Sequence, residues 1–174
     1  MTLDEEIAAL TRKTIEDHSE WDALHALFII HRDGDGIAVR TIVGIDPAMQ
    51  PAMYPVLIEM MVKQRAEEDG APYALLLEIE AFGATAPKDD APAWEKAKFE
   101  ADRERGTIPE REDAVEAAWG WAVDVHGRTW TAVKRRGSDE VEENTYAPGS
   151  GIVGGRFAKA MLDALRLYGS EYAN

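Results

Sequence analysis

The stretch from residue 113 to residue 136 constrains the fold more than any other part of the chain. Apolar residues, including Trp119 and Trp121, occupy alternate positions in its first half, and most of the residues between them are small or polar. Such alternation is typical of a strand with one buried face. His126-Gly127 then supplies a two-residue turn, which places Trp130 on the same face as Trp119 and Trp121. The stretch is therefore predicted to be a β-hairpin with a tryptophan-rich core face.

Hydrophobic periodicity predicts the elements that surround this hairpin. Helices are expected over residues 3–18, about 52–68 and 152–168, and strands over 23–32, 37–43, 72–83 and, as a short edge strand, 140–146. Together they indicate a single α+β domain spanning 1–174. Its expected architecture is an antiparallel sheet of about five strands, with three helices mainly on the tryptophan face.

The helix predicted at 52–68 carries an apolar stripe of methionine and aliphatic side chains. The stripe consists of Met53, Val56, Leu57, Met60 and Met61. Methionine-rich stripes occur in adaptable binding grooves, but a stripe at helical spacing is more often part of the core. We interpret this one as core.

The strands predicted at 23–32 and 72–83 are apolar on more than one face. Two-sided apolarity is typical of central strands that are covered on both sides. Three helices lying mainly on one side cannot cover a second apolar face. The sequence therefore predicts a homodimer.

Residues 84–112 form a charged, proline-containing stretch between two predicted strands. A connection of this length is usually either a functional loop or a segment folded back over the domain. It contains one predicted short helix, 93–105, which carries Trp94 and Phe99. Because aromatic residues dominate binding hot spots, we predict that Trp94 and Phe99 contact a protein partner.

Composition excludes several classes of function. The net charge of −14, from 19 basic and 33 acidic residues, argues against direct binding to a nucleic-acid backbone. The chain has no cysteine, which excludes disulfides and thiolate metal sites. No apolar run is long enough to cross a membrane, and the acidic start is unlike a signal peptide. A cytoplasmic location is the expectation.

The chemistry-bearing residues form no standard catalytic motif. The candidates for catalysis are His25, His31 and Arg40, expected on one sheet face, together with the paired carboxylates Glu78 and Glu80. No metal-ligand spacing and no cofactor motif is convincing. The acidic turn at 33–36 lacks the full calcium-loop pattern, and the glycines at 149–154 lack the strand and βαβ unit of a dinucleotide site. We therefore predict neither a metal nor a cofactor.

The hairpin also carries a family resemblance. Residues 122–130 have the pattern A-V-D-x-x-G-R-x-W, and Lys134-Arg135-Arg136-Gly137 forms a basic exit. In this region, less than a third of the chain, the sequence resembles small uncharacterised α+β proteins of actinobacteria and their phages. That resemblance implies no activity. The predicted order of elements is similar to roadblock and profilin-like domains, which act as adaptors, although a fold does not settle a function.

These observations favour a non-enzymatic protein-interaction or regulatory protein, of phage or host origin. A small enzyme with a histidine and carboxylate site on the sheet face is one alternative. An acidic mimic of nucleic acid, in which carboxylates stand in for phosphates, is the other.

Overall fold

Six antiparallel strands and four α-helices make up the described part of the chain, which comprises residues 1–22, 24–84, 87–105, 108–150 and 155–169 of the computed structural model. In chain order they are α1 (Leu3–Glu16), β1 (His25–Asp33), β2 (Gly36–Ile45), α2 (Tyr54–Asp69), β3 (Ala74–Gly83), α3 (Ala93–Arg105), β4 (Val115–Asp124), β5 (Thr129–Arg135), β6 (Val141–Tyr146) and α4 (Gly155–Tyr168). The strands form one sheet in the order β2-β1-β3-β4-β5-β6. The α+β class predicted from the sequence is confirmed, with six strands and four helices rather than about five and three.

Helix α1 covers one face of the sheet. It begins at a capping box, in which the Thr2 hydroxyl accepts from the amide of Glu5 and the Glu5 carboxylate accepts from the amide of Thr2. Ile7, Thr11 and Ile15 point into the protein, and α1 packs mainly on β4 and β5. The face that α1 covers is called the α1 face below.

Helices α2 and α4 cover the opposite face. They pack against each other, and Phe157 of α4 contacts Tyr54 of α2 and Trp121 of β4, with ring centroids 5.1 Å and 6.1 Å apart. Helices therefore lie on both sides of the sheet: of the three helices predicted from the sequence, α2 and α4 lie on the face of Trp119 and Trp121, and α1 lies on the other. The reason is that β1, β3 and β4 are apolar on both faces, so burying them requires helices on each side.

The register of the β4–β5 hairpin also differs from the prediction. Trp130 pairs with Ala122 and lies on the α1 face, opposite to Trp119 and Trp121. The loop has three residues rather than two, because one carboxylate oxygen of Asp124 accepts from the amides of His126 and Arg128 at 3.0 Å and 2.8 Å. Gly127 adopts a φ of +82°, as this longer loop requires. A single extra loop residue moves the whole of β5 by one position and exchanges its two faces.

The apolar stripe of α2 is rotated relative to the prediction. The buried side chains are Tyr54, Ile58 and Val62, whereas Met53, Val56 and Met60 are exposed. Tyr54 fixes this orientation, because its hydroxyl is hydrogen-bonded to Nδ1 of the buried His25. The interpretation of the methionine stripe as core is therefore wrong for three of its five members, while Leu57 and Met61 pack against the core.

Helix α3 and a short 3-10 helix (Ile108–Glu110) lie between β3 and β4. The guanidinium of Arg111 lies over the ring of Phe99 at 5.3 Å and bonds to Asp102 at 2.9 Å. Phe99 is half-buried by this contact, whereas Trp94 is 69% exposed. The two predicted partner-binding residues thus have different surroundings, and Trp94 is the one that presents an open aromatic surface.

Candidate functional site

The histidines and glutamates that were candidates for catalysis lie on opposite faces of the sheet. Ala26 of β1 pairs with Glu78 of β3, so the α1 face carries Glu78 and Glu80. His25 and His31 point to the other face, where both are buried. Burial lowers the pKa of each histidine below its usual range, and the charge of Arg40 lowers the pKa of His31 further.

Arg40 itself is exposed and lies in a β-bulge. Thr41 pairs with Ile29 and Val39 with Ile30, so Arg40 is the extra residue between them. The sequence predicted Arg40 on one sheet face with His25 and His31, and the bulge displaces Arg40 from the regular pairing of the strand. The grouping of His25, His31 and Arg40 that the sequence predicted therefore does not form.

Glu78 and Glu80 instead share a histidine that the sequence analysis did not select. His18 lies in the segment after α1, and its Nδ1 is 2.8 Å from Oε1 of Glu78. Its Nε2 is 3.1 Å from Oε1 of Glu80, at angles that do not make a hydrogen bond. All three side chains are largely buried, and the ring of His18 lies between the two carboxylates.

A small acidic cluster continues from this histidine. One oxygen each of Asp22, Glu80 and Glu116 lies within 4.8 Å of the others, a spacing that would suit a cation. However, Arg136 bonds to Glu116 at 2.6 Å and lies 3.7 Å from Asp22, so a guanidinium already supplies positive charge to the cluster. A cavity of about 210 Å³ beside it is lined by Glu80, Glu116 and also His25. The cluster has the composition of a partly exposed ion-pair network.

A larger groove of about 340 Å³ lies over β4, β5 and β6, on the face opposite α1. Trp119 and Trp121 stack in parallel on one side of it, with ring centroids 5.4 Å apart. The opposite side and rim are mostly polar, with Asn144 and the ion pair between Arg135 and Glu142. The Nε1 of Trp119 is buried and donates to none of the described residues. The groove also exposes apolar surface, including Val115, while Arg135 and Glu142 on its rim are paired with each other.

An apolar exposed surface lies on the α1 face of β1 and β2. It consists of Leu24, Phe28, Val39 and Ile42, which we call the β2 patch. Phe28 pairs with Ile42, and Leu24 lies over Gly44, where an added Cβ would be 3.1 Å from its Cδ1. Leu24 is 66% exposed, Ile42 61% and Val39 38%, while Phe28 is half-buried. Helix α1 reaches only the start of β2, where Glu6 accepts from the amide of Ile37.

The β2 patch borders an open edge of the sheet. β2 is the first strand in the sheet order, and among the described residues no strand pairs with its outer side. It has ten residues, of which only Arg40 is charged. β6, at the other edge, has six residues and carries Glu142 and Glu143. Proteins usually protect edge strands by shortness and charge, and β6 shows both features. β2 shows neither, although the bulge at Arg40 interrupts it.

Of the β2 patch and the contact of His18 with Glu78, only the patch could be found in part from the sequence. The β2 patch had a signal, since the segment Gly36–Ile45 contains one charged residue in ten. The contact of His18 had none, because His18 is 60 residues from Glu78 and follows a helix end without any local pattern.

Comparison of the chain with known protein families, with characterised proteins and with solved structures found no match. Among the described residues, no helix combines the length and the apolar character needed to cross a bilayer.

Proposed function

We propose that this protein is a non-enzymatic interaction protein that binds a protein partner at the open edge of β2 and on the β2 patch. The observation that supports it is the coincidence of three exposed large apolar side chains, Leu24, Val39 and Ile42, with an unpaired strand edge. An open edge offers backbone donors and acceptors for an added strand, and an adjacent apolar patch offers pockets for its side chains. Exposed apolar patches of this kind mark interaction sites in soluble proteins.

The alternative of a histidine and carboxylate enzyme has less support. His25 and Glu80 do line one cavity, but each already serves the fold. Nδ1 of His25 is 2.5 Å from the hydroxyl of Tyr54, and Oε2 of Glu80 accepts from the amide of Asp22 at 2.8 Å. The first contact joins β1 to α2 and the second holds the segment between α1 and β1, which accounts for the burial of both groups without a catalytic role.

The alternative of a nucleic-acid mimic needs rows of carboxylates that are free to imitate phosphates. Many carboxylates on this surface are instead paired with basic side chains on the same helix. Examples are the pairs Arg12–Glu16, Lys13–Asp17 and Arg65–Glu68. Alternating signs along a helix are typical of a solvated surface rather than of a mimic.

Two classes of occupant can complete the edge of β2: a second copy of this chain, as the sequence predicted, and a segment of another protein. The exposed Trp94 of α3 remains a further predicted contact for a protein partner. A cytoplasmic location and a phage or host origin are part of the same proposal, and they rest on the composition and the hairpin resemblance described above.

The experiment compares two substitutions that add the same charge. Ile42→Lys places a lysine in the β2 patch, and Met60→Lys places one on α2, where Met60 is 64% exposed. Proteins captured from a lysate by the native chain should be lost with Ile42→Lys and retained with Met60→Lys. Capture that survives Ile42→Lys would show that the partner binds elsewhere.

A further inference from the structure

Both ends of β2 carry exposed carboxylates. Asp33 ends β1, Asp35 lies in the turn before β2, and Asp46 follows the last residue of β2. None of the three forms a salt bridge with another described residue, and Asp46 only caps its own turn by accepting from the amide of Ala48 at 2.8 Å. The open edge is therefore a nearly uncharged strand with unpaired negative charge at each end.

This charge distribution selects among the strands that can add to β2. Ten residues of strand span about 33 Å, so a strand pairing along the whole edge has its own ends beside these carboxylates in either direction. Basic residues at both ends would be attracted, and acidic residues at both ends would be repelled. The overall charge of −14 likewise attracts a basic partner and repels an acidic one as it approaches.

Resting on the function proposed above, we infer that the occupant of the β2 edge is an extended protein segment with apolar residues at alternate positions and Lys or Arg at both ends. The alternate apolar side chains lie on the β2 patch beside Val39 and Ile42. The basic ends lie beside Asp35 at one end and Asp46 at the other.

A second copy of this chain matches the edge less well. In an antiparallel pair of β2 strands, Asp33 and Asp35 of one copy would lie near Asp46 of the other, at both ends of the interface. Like charges so placed oppose association, especially at low ionic strength. We therefore expect the isolated protein to be a monomer in dilute, low-salt solution.

The test uses three labelled ten-residue peptides and the full chain, with binding followed by fluorescence anisotropy. Two peptides share a core of alternating valine and threonine and end in lysine pairs or in glutamate pairs. The third has lysine pairs around a glycine and serine core, which controls for unspecific attraction to an acidic protein. The lysine-ended valine peptide should bind at least tenfold more tightly than the other two, and its advantage over the glutamate-ended peptide should shrink as salt is added.

The protein variants locate the site. Ile42→Lys should weaken the binding of the lysine-ended valine peptide at least tenfold more than Met60→Lys, which adds the same charge. A chain with both Asp35→Asn and Asp46→Asn should retain binding but lose most of the preference for basic ends. Circular dichroism and urea midpoints equal to those of the native chain confirm that the variants are folded.

The outcomes separate the inference from the function on which it rests. If the glutamate-ended peptide binds as well as the lysine-ended one and both respond to Ile42→Lys, the inference fails and the proposed function stands. If Ile42→Lys weakens neither the binding of any peptide nor self-association more than Met60→Lys does, the inference and the proposed function both fail. Sedimentation that shows a low-salt dimer dispersed by Ile42→Lys would make the second copy the occupant and would overturn the inference.

Discussion

Gly120 of β4 lies directly beneath Ile15 of α1, where a Cβ on the glycine would come within 2.9 Å of Cγ1 of the isoleucine. Thr11 is almost as near, at 3.4 Å from the same position. The missing side chain lets α1 approach the sheet between the alanines that flank Gly120. This close approach explains why Ala118, Gly120 and Ala122 are buried, although the alternation in the sequence predicts only one buried face for this strand.

Gly120→Ala should therefore destabilise the fold, because a methyl group inserted there must displace α1 or the strand. Overpacking of this kind costs about 1–3 kcal/mol. Urea unfolding measures this loss of stability. Gly44→Ala is the control, since a Cβ added at Gly44 would meet only the end of the exposed Leu24 side chain. Equal midpoints for the two variants would contradict the described packing of α1.

Trp121→Ala should lower the free energy of unfolding more than Gly120→Ala does. Trp121 is buried between the parallel ring of Trp119 and the ring of Phe157 on α4. Truncation of a buried tryptophan costs about 3–5 kcal/mol. Trp94→Ala is the matched control, because the side chain of Trp94 is mostly in solvent and its loss should change the free energy of unfolding by less than about 0.5 kcal/mol. A smaller loss at Trp121 than at Trp94 would refute the assignment of faces.

His18→Ala should destabilise the fold by leaving Glu78 and Glu80 without their shared partner. Leaving a buried hydrogen-bonding group without its partner costs about 1–3 kcal/mol. His126→Ala, at the exposed hairpin tip, is the control and should have little effect. Adding Glu78→Gln to the His18→Ala chain should recover part of the loss. If adding Glu78→Gln lowers the free energy of unfolding further, the contact of His18 with the two glutamates does not explain the loss.

The buried histidines predict a loss of stability in mild acid. Burial holds the pKa values of His25 and His31 below their usual range, so below about pH 6.5 the unfolded chain binds protons that the folded protein does not. Stability is therefore present above that pH and falls as the pH is lowered, by up to about 1.4 kcal/mol per pH unit for each histidine. His31→Gln should reduce this slope between about pH 7 and about pH 5, and the exposed His126→Gln should not. An unchanged slope in His31→Gln would exclude this residue as a source of the acid sensitivity.

Elements were predictable from the sequence wherever a local pattern decides them. The capping box at Thr2 and Glu5 marks the start of α1, and the helical spacing at Ala93–Arg105 predicts α3 with the bounds that the structure has. These features depend on neighbours three or four residues away, which the sequence shows directly.

Registers and faces were less predictable, because single side chains decide them. The carboxylate of Asp124 adds one residue to the hairpin loop and so moves Trp130 to the other face. The bulge at Arg40 displaces one candidate residue, and the contact of His18 with Glu78 joins distant segments. No periodicity in the sequence encodes such contacts. For that reason the sequence grouped Glu78 and Glu80 with the wrong histidines. The open edge of β2 emerged only when the strand order was known.

Amide hydrogen exchange of the full chain, with and without the lysine-ended valine peptide, tests the central claim most directly. If the edge of β2 receives an added strand, amides within Gly36–Ile45 that point away from β1 should become protected when the peptide binds, and those of β6 (Val141–Tyr146) should not. Protection confined to β6, to α3 or to the groove beside Trp119, with β2 unchanged, would contradict the account.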